Sequence, residues 1–363
     1  MAETAIPSGL TVQQWDERYF REYLNNNWFK QFMGTGSAKM IQVKEDLTKK
    51  PGDSVTFTLI NRLTGEAKSA NEVLEGAEED ATLRSFQVRV REYAHAVRFK
   101  KFEAQKTAID LRQGHKDVLM DWQMELDRDN IIDALGSING TLYSSASEAN
   151  KDAWLTDNTD RVLFGALISN HSSLDHSAAL ANVDTTNDKL TPDAISLMKR
   201  IAKSASPRVR PFKAKSAIGE SDAYVLFAPT QMVRDLAANS TFLAANREAR
   251  NRGIDNPLFN GADYFWENVA IYEIEDIPSL GAVGASSAVV RPCYLCGAQA
   301  LGIAWAMRPQ TVEEDFDYKR TIGLGIKQWY KVEKMRFGSG ATDTDDYKDH
   351  GVVTGYFAAA ADA

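Results

Sequence analysis

The stretch Pro51-Gly52-Asp53-Ser54-Val55-Thr56-Phe57-Thr58-Leu59-Ile60 reads as a turn followed by a β-strand. Pro-Gly-Asp punctuates the chain, and the β-branched and aromatic residues that follow suit a pleated surface. The chain crosses residues 61–65 and a wide polar loop, then returns as a second strand over residues 83–99. On the return, Phe86, Val88 and Val90 share one parity while Tyr93, Val97 and Phe99 share the other. The buried face therefore switches near Arg91-Glu92, which calls for a β-bulge or a bend between two packing environments. Charge is segregated along this arm. Residues 71–80 hold Glu72, Glu75, Glu78, Glu79 and Asp80 with no base, whereas residues 84–101 hold Arg84, Arg89, Arg91, Arg98, Lys100 and Lys101 against the single acid Glu92. In an isolated chain such runs are solvated faces. In a self-associating one, an acidic tip and a basic arm guide one copy's loop to its neighbour and fix the register.

Downstream, residues 103–137 read as helix, with Ala108, Leu111, His115, Val118, Trp122, Leu126 and Ile132 along one stripe. At 1.5 Å per residue that is a rod on the order of 50 Å, unless Gly114 divides it into two shorter helices. Upstream, Trp15, Tyr19, Phe20, Tyr23, Trp28, Phe29 and Phe32 recur at helical spacing, an aromatic face suited to packing against a core. The middle of the chain mixes helices and strands. Thr191-Pro192-Asp193 supplies an N-cap, a proline at the first helical position and an acid in the first turn, with Ile195, Met198 and Ile201 following on one face. Residues 224–228 form a buried strand stopped by Pro229, residues 231–238 a helix, and residues 269–274 another strand. Residues 279–289, rich in Gly, Ala and Ser, form a loop. The small, apolar residues 352–363 are expected to fray or to tuck against a neighbour.

Composition sets bounds. The 363 residues suffice for one elaborate domain or two, and 44% hydrophobic content supplies a core. A formal net charge of −8 argues against gripping nucleic acid as the main task. No stretch has the pattern of a signal peptide or a membrane span, and two cysteines make no disulfide framework. The chemical motifs are thin. Cys293 and Cys296 give half of a structural zinc set with no second pair nearby, and they lie in an apolar run, so they are expected to be buried strand cysteines. Gly34-Thr35-Gly36-Ser37-Ala38-Lys39 lacks phosphate-loop spacing and reads as a hinge. Asp343, Asp345 and Asp346 lack the glycine and the closing glutamate of a calcium loop. His95, His115, His171, His176 and His350 are scattered. Glu313-Glu314-Asp315 with Asp317 reads as an interface charge cluster beside Lys319 and Arg320. No catalytic, cofactor-binding or metal-binding residues are assigned.

The run from Pro51 to Phe57, the stretch Asn71-Glu72-Val73-Leu74-Glu75-Gly76-Ala77-Glu78-Glu79-Asp80 and the ending Tyr93-Ala94-His95-Ala96-Val97-Arg98-Phe99 resemble a family of tailed-bacteriophage major capsid (coat) proteins. The resemblance extends to Leu295-Cys296-Gly297-Ala298-Gln299-Ala300-Leu301-Gly302 and to Val312-Glu313-Glu314-Asp315-Phe316-Asp317-Tyr318, but does not reach residues 139–190. It implies an α+β chain with the Johnson (Hong Kong-type) capsid fold. The expected parts are an N-terminal arm (1–50), an extended β-hairpin loop (51–102), a spine helix region (103–138), an axial α/β domain (139–300), peripheral-domain strands (301–340) and a C-terminal tail (341–363). The implied function is structural, not enzymatic: pentamers and hexamers closing into an icosahedral shell around double-stranded DNA. Such a shell is a virion capsid assembled in the host cytoplasm with a separate scaffolding protein, a portal and optional decoration proteins, away from any membrane and without cofactors. The acidic tip, Glu72, Glu75, Glu78, Glu79 and Asp80, is then expected to meet Arg84, Arg89 and Arg91 of adjacent subunits. An encapsulin-like nanocompartment shares this fold and is the alternative. An α/β enzyme is the outside reading, and it needs a pocket of converging titratable groups.

Overall fold

A computed structural model describes residues 28–45, 47, 52–60, 63, 65–69, 74–75, 78–79, 83–106, 111–216, 219–250, 262–338 and 347–362. In chain order the strands are β1 (Met33–Gly34), β2 (Ile41–Lys44), β3 (Ser54–Ile60), β4 (Leu83–Arg89), β5 (Arg91–Lys100), β6 (Val162–Phe164), β7 (Phe212–Ser216), β8 (Gly219–Ala228), β9 (Tyr264–Trp266), β10 (Val269–Glu273), β11 (Val290–Cys296), β12 (Leu301–Phe316), β13 (Thr321–Lys334) and β14 (Val352–Ala358). The helices are α1 (Lys101–Lys106), α2 (Leu111–Gly136), α3 (Glu148–Asp157), α4 (His176–Leu180), α5 (Pro192–Ser204), α6 (Thr230–Ala237) and α7 (Ser240–Arg250). The chain forms two compact units: Met1–Val55, Val88–Gly136 and Leu301–Glu333 make the first, and Thr56–Gln87, Ser137–Ala300 and Lys334–Ala363 the second.

The first unit is a five-stranded sheet, β1-β2-β12-β13-β5, packed against α2. β5 runs antiparallel to β13 over ten pairs, from Thr321 opposite Lys100 to Tyr330 opposite Arg91. Gly114 does not divide the helix: α2 is continuous over 26 residues, about 39 Å at the ordinary rise. Its inward face takes in His115, Trp122 and Ile132 of the apolar stripe read in the sequence, but is wider than that stripe. Val118 is 60% exposed, and the buried line runs Lys116, Met120, Gln123, Asp127 and Ile131. Gln123 and Asp127 can be buried there because the sheet opposite is polar. Asp127 accepts from the Tyr330 hydroxyl and from Gln328 Nε2 (3.2 Å), Gln123 donates to Gln328, and Asn130 Nδ2 donates to the Tyr330 oxygen (2.8 Å). Trp305 stacks on Tyr330 at 4.6 Å and seals the network. Residues 34–39, expected as a hinge, turn between the paired strands β1 and β2, with Lys39 N donating to Gly36 O at 3.2 Å.

The second unit carries the sheet β6-β14-β11-β8-β10-β9, with β7 on the edge of β8. One core cluster joins Ile195 and Met198 of α5, Leu226, Phe242, Leu295 and Phe357; a second joins Trp154, Phe164, Leu180, Val290 and Tyr356. The expected cap forms, Thr191 Oγ1 accepting from Ala194 N at 3.2 Å. Residues 279–289 are tied at both ends, Leu280 N donating to Val290 O and Ala285 N to Val183 O. Most of the C-terminal segment is not a frayed end. It forms β14, every residue of which is buried, between β6 and β11. Apolar, small residues over seven positions are what a central strand with both faces covered requires.

Just before β14, Asp349 ties the unit together. Its carboxylate accepts from Lys334 Nζ (2.8 Å) and Trp154 Nε1 (3.0 Å), and its amide donates to Asn158 Oδ1 (2.8 Å). Its carbonyl accepts from Arg161 Nη1 (2.6 Å), while Arg161 Nη2 reaches the carbonyls of Ser206 (3.0 Å) and Pro207 (3.2 Å). Both partners of the Lys334–Asp349 pair are 2% exposed. Gly165 (φ +64°) serves a similar hub: a Cβ there would stand 2.2 Å from the Asp188 carboxylate, which accepts from Ala166 N, Asn170 Nδ2 and Asp184 N.

Two outcomes follow. Asp349→Asn leaves the Lys334 ammonium buried without its counter-charge and should cost about 3–5 kcal/mol in urea denaturation, against no loss if the pair is solvated. Burial pushes the Asp127 carboxyl up to about 7, so the folded state holds a proton that the unfolded chain gives up near 3.8. Stability should then fall as pH rises from about 4 to 7. Asp127→Asn removes this slope, so its stability relative to the parent should rise by up to about 4 kcal/mol between pH 4 and pH 8; a pH-independent difference contradicts the assignment.

Candidate assembly surfaces

β3 and β4 pair with each other and belong to neither larger sheet. Their alternation is clean: Val55, Phe57, Phe86 and Val88 are buried and the residues between them exposed. The face switch falls at Val90, whose amide donates to Asp53 O (3.0 Å), and the chain restarts as β5 with Phe99 inward. The apolar residues Ile60, Leu63, Leu74 and Leu83 are all at least 60% exposed. Glu75, Glu78 and Glu79 are exposed, and Glu79 Oε2 accepts from Gly65 N at 2.6 Å, which ties the two sides of the loop. Glu72 and Asp80 lie outside the described residues. Of the three basic candidates, Arg89 and Arg91 are exposed. Arg84 instead shares the inward parity of Phe86 and Val88 and is 6% exposed, so it is not presented to a neighbour.

The second prominent surface is the β12–β13 hairpin. Its charged end, read as an interface cluster, is largely satisfied within the chain: Arg112 pairs with Glu313 (2.5 Å), Lys101 with Asp315 (3.0 Å) and Arg320 with Asp317 (3.5 Å). Phe316 lies across Gly323, where a Cβ would meet its ring at 2.6 Å, and the Arg98 guanidinium sits 4.1 Å from the ring centre. Beyond this clamp the turn exposes Tyr318 completely.

Cys293 and Cys296 sit in β11, fully enclosed and not joined in a disulfide, and burial pushes both thiols far up. His176 is boxed by Tyr143, Trp154, Phe164 and Tyr356 with neither ring nitrogen hydrogen-bonded, and burial holds its pKa down at about 4. Glu148, Asp152 and Asp175 come within 4.8 Å of one another. Each has a local partner: Lys151 for Glu148, the His176 amide for Asp152, and the Ala178 amide for Asp175. The first is an ion pair along α3, and the other two satisfy amides at the start of α4. Asp343, Asp345 and Asp346 lie outside the described residues. The His176 box is not legible in the residues, because its aromatic walls come from four separate segments.

Two sheets with finished cores, one long helix laid on a sheet, and two hairpins bearing exposed apolar and charged residues define a shell-building subunit. The comparisons agree. A model of the phage capsid protein family matches residues 3–361. The major capsid protein of Pseudomonas phage KPP25 is 26% identical over 360 residues, covering 95% of this chain and 94% of that one. The capsid of cyanophage Pam1 superimposes with a TM-score of 0.82 at 31% identity over the full length of both chains, and the capsid of Ralstonia phage GP4 with 0.75 at 21% identity over 92% of each. The chain belongs to the phage capsid protein family, with the Johnson fold expected from its sequence, and is a structural component of a phage shell.

Because Cys293 and Cys296 are enclosed strand residues, the native protein should react with a thiol reagent more than a hundredfold slower than the urea-unfolded chain. Comparable rates would place them at a surface.

Proposed function

We propose that this subunit closes, as pentamers and hexamers, into an icosahedral shell around double-stranded DNA in the host cytoplasm. A separate scaffolding protein guides closure, and a portal occupies one vertex. The observation that supports this reading most is where the chain leaves its exposed apolar residues. Four of them, Ile60, Leu63, Leu74 and Leu83, fall on one hairpin and its loop, outside both larger sheets. Such surface on a soluble protein marks contact with another molecule, and in a shell the neighbour is another copy. Closed symmetry then turns many weak, repeated contacts into a stable cage. A net charge of −8 keeps the shell from adsorbing the polyanion it encloses. The first compact unit is assigned as the peripheral domain and the second as the axial domain.

Within this reading the acidic loop, Glu72, Glu75, Glu78, Glu79 and Asp80, bridges to Arg89 and Arg91 of an adjacent subunit. Arg84 supports the hairpin from within. Such exposed pairs steer and set register more than they bind.

Electron microscopy of the protein expressed alone, and again with its genomic neighbours, should show closed shells or rings of five and six. A persistent monomer in both preparations would sink the shell reading. Charge reversal, Glu78→Lys with Glu79→Lys, should lower shell yield at least tenfold while the soluble subunit melts as the parent does. Normal shells from that variant would remove the acidic bridge.

A further inference from the structure

Tyr318 is 100% exposed, a large aromatic side chain left wholly in water at the tip of β12–β13. The backbone around it is strained. Asp317, Tyr318 and Lys319 have φ of +50°, +49° and +64°, three successive residues in the left-handed region. Turns that need this conformation ordinarily recruit Gly, Asn or Asp. Only Asp317 is of that kind, while Tyr318 and Lys319 carry the full side-chain penalty. A turn serving merely to connect two strands would be better made with glycine at both places. Local rules broken at an exposed position point to a use for the residue itself.

The tip is also held stiffly. Phe316 is clamped between Gly323 and the Arg98 guanidinium, Lys101 pairs with Asp315, and Arg320 N donates to Asp317 O at 3.0 Å. A side chain on so fixed a mount loses little freedom when it docks, and tyrosine is enriched among the residues that dominate binding energy.

We propose that Tyr318 is an anchor by which the β12–β13 tip of one subunit docks into a second copy of this chain. The inference rests on the shell reading, since that reading supplies the second copy. The same reading supplies the occupant, since the neighbours of a shell subunit are further copies of it: Tyr318 stands between the exposed Asp317 and Lys319, with Arg320 paired to Asp317 at 3.5 Å, so the tip offers a second copy an apolar ring set among charges of both signs.

Tyr318→Gly separates anchoring from folding, because glycine removes the ring and suits a φ of +49°. The expected result is a soluble subunit whose melting midpoint equals or exceeds the parent's, with shell yield reduced at least tenfold, and with yield restored by Tyr318→Phe. Parent and glycine variant forming shells in equal yield would overturn the anchor alone and leave the shell reading standing. A midpoint that falls together with yield would give the ring a folding role and also overturn it. Failure of the parent itself to form shells would remove the reading on which the anchor depends, and the anchor with it.

Discussion

Both compact units are completed by the end of the chain, and the rest of the structure depends on that closure. β12 and β13 supply the middle of the sheet under α2, and β14 enters the second sheet with Thr354 opposite Val162 and Val353 opposite Leu295. No residue of β14 is exposed, so the second core does not exist until the strand is in place. Pairings of this sequence separation must overcome loop-closure entropy before they are rewarded. What holds the returning chain is partly polar. Lys334 ends β13 and Asp349 stands just before β14, and their buried pair meets Trp154, Asn158 and Arg161 at one place. An apolar contact could provide comparable burial but would fix the entry of the strand less sharply.

The first unit uses the same device. A helix laid on a sheet by apolar contacts alone can slide by a turn or rotate. Asp127, Gln123 and Asn130 on α2, matched to Gln328 and Tyr330 on β13, set its register. Buried titratable groups of the two units contribute to the pH dependence of stability in opposite senses. Asp127 carries a raised carboxyl pKa, so its unit is favoured toward acid; His176 and His350 are both pushed down to about 4, so their unit loses stability as pH falls from 6.5 toward 4.

Much of this was legible in the residues themselves. The parity change between Val88 and Tyr93 located the break between β4 and β5; Thr191-Pro192-Asp193 started α5; the apolar setting of Cys293 and Cys296 put them inside a strand. What was missed has a physical pattern. The apolar stripe on α2 finds His115, Trp122 and Ile132, which pack inward, but it cannot show Gln123 and Asp127, polar residues satisfied from a distant strand. Arg84 was counted with the exposed bases because charge, not parity, drew attention to it. Residues 352–358 were taken for a tail because small apolar residues at a terminus carry no signal of the partners that bury them. The left-handed turn at residues 317–319 was invisible because none of its residues is glycine or asparagine.

The account holds that folding within the subunit is complete and that assembly uses surfaces the folded subunit leaves over, above all the β3–β4 hairpin and the β12–β13 tip. Hydrogen exchange measured on the free subunit and on purified shells tests this directly. The account predicts new protection over residues 54–89 and in the strands flanking Tyr318, with α5, β11 and β14 equally protected in both states. Protection gained chiefly in those core elements, with the two hairpins unchanged, would contradict it.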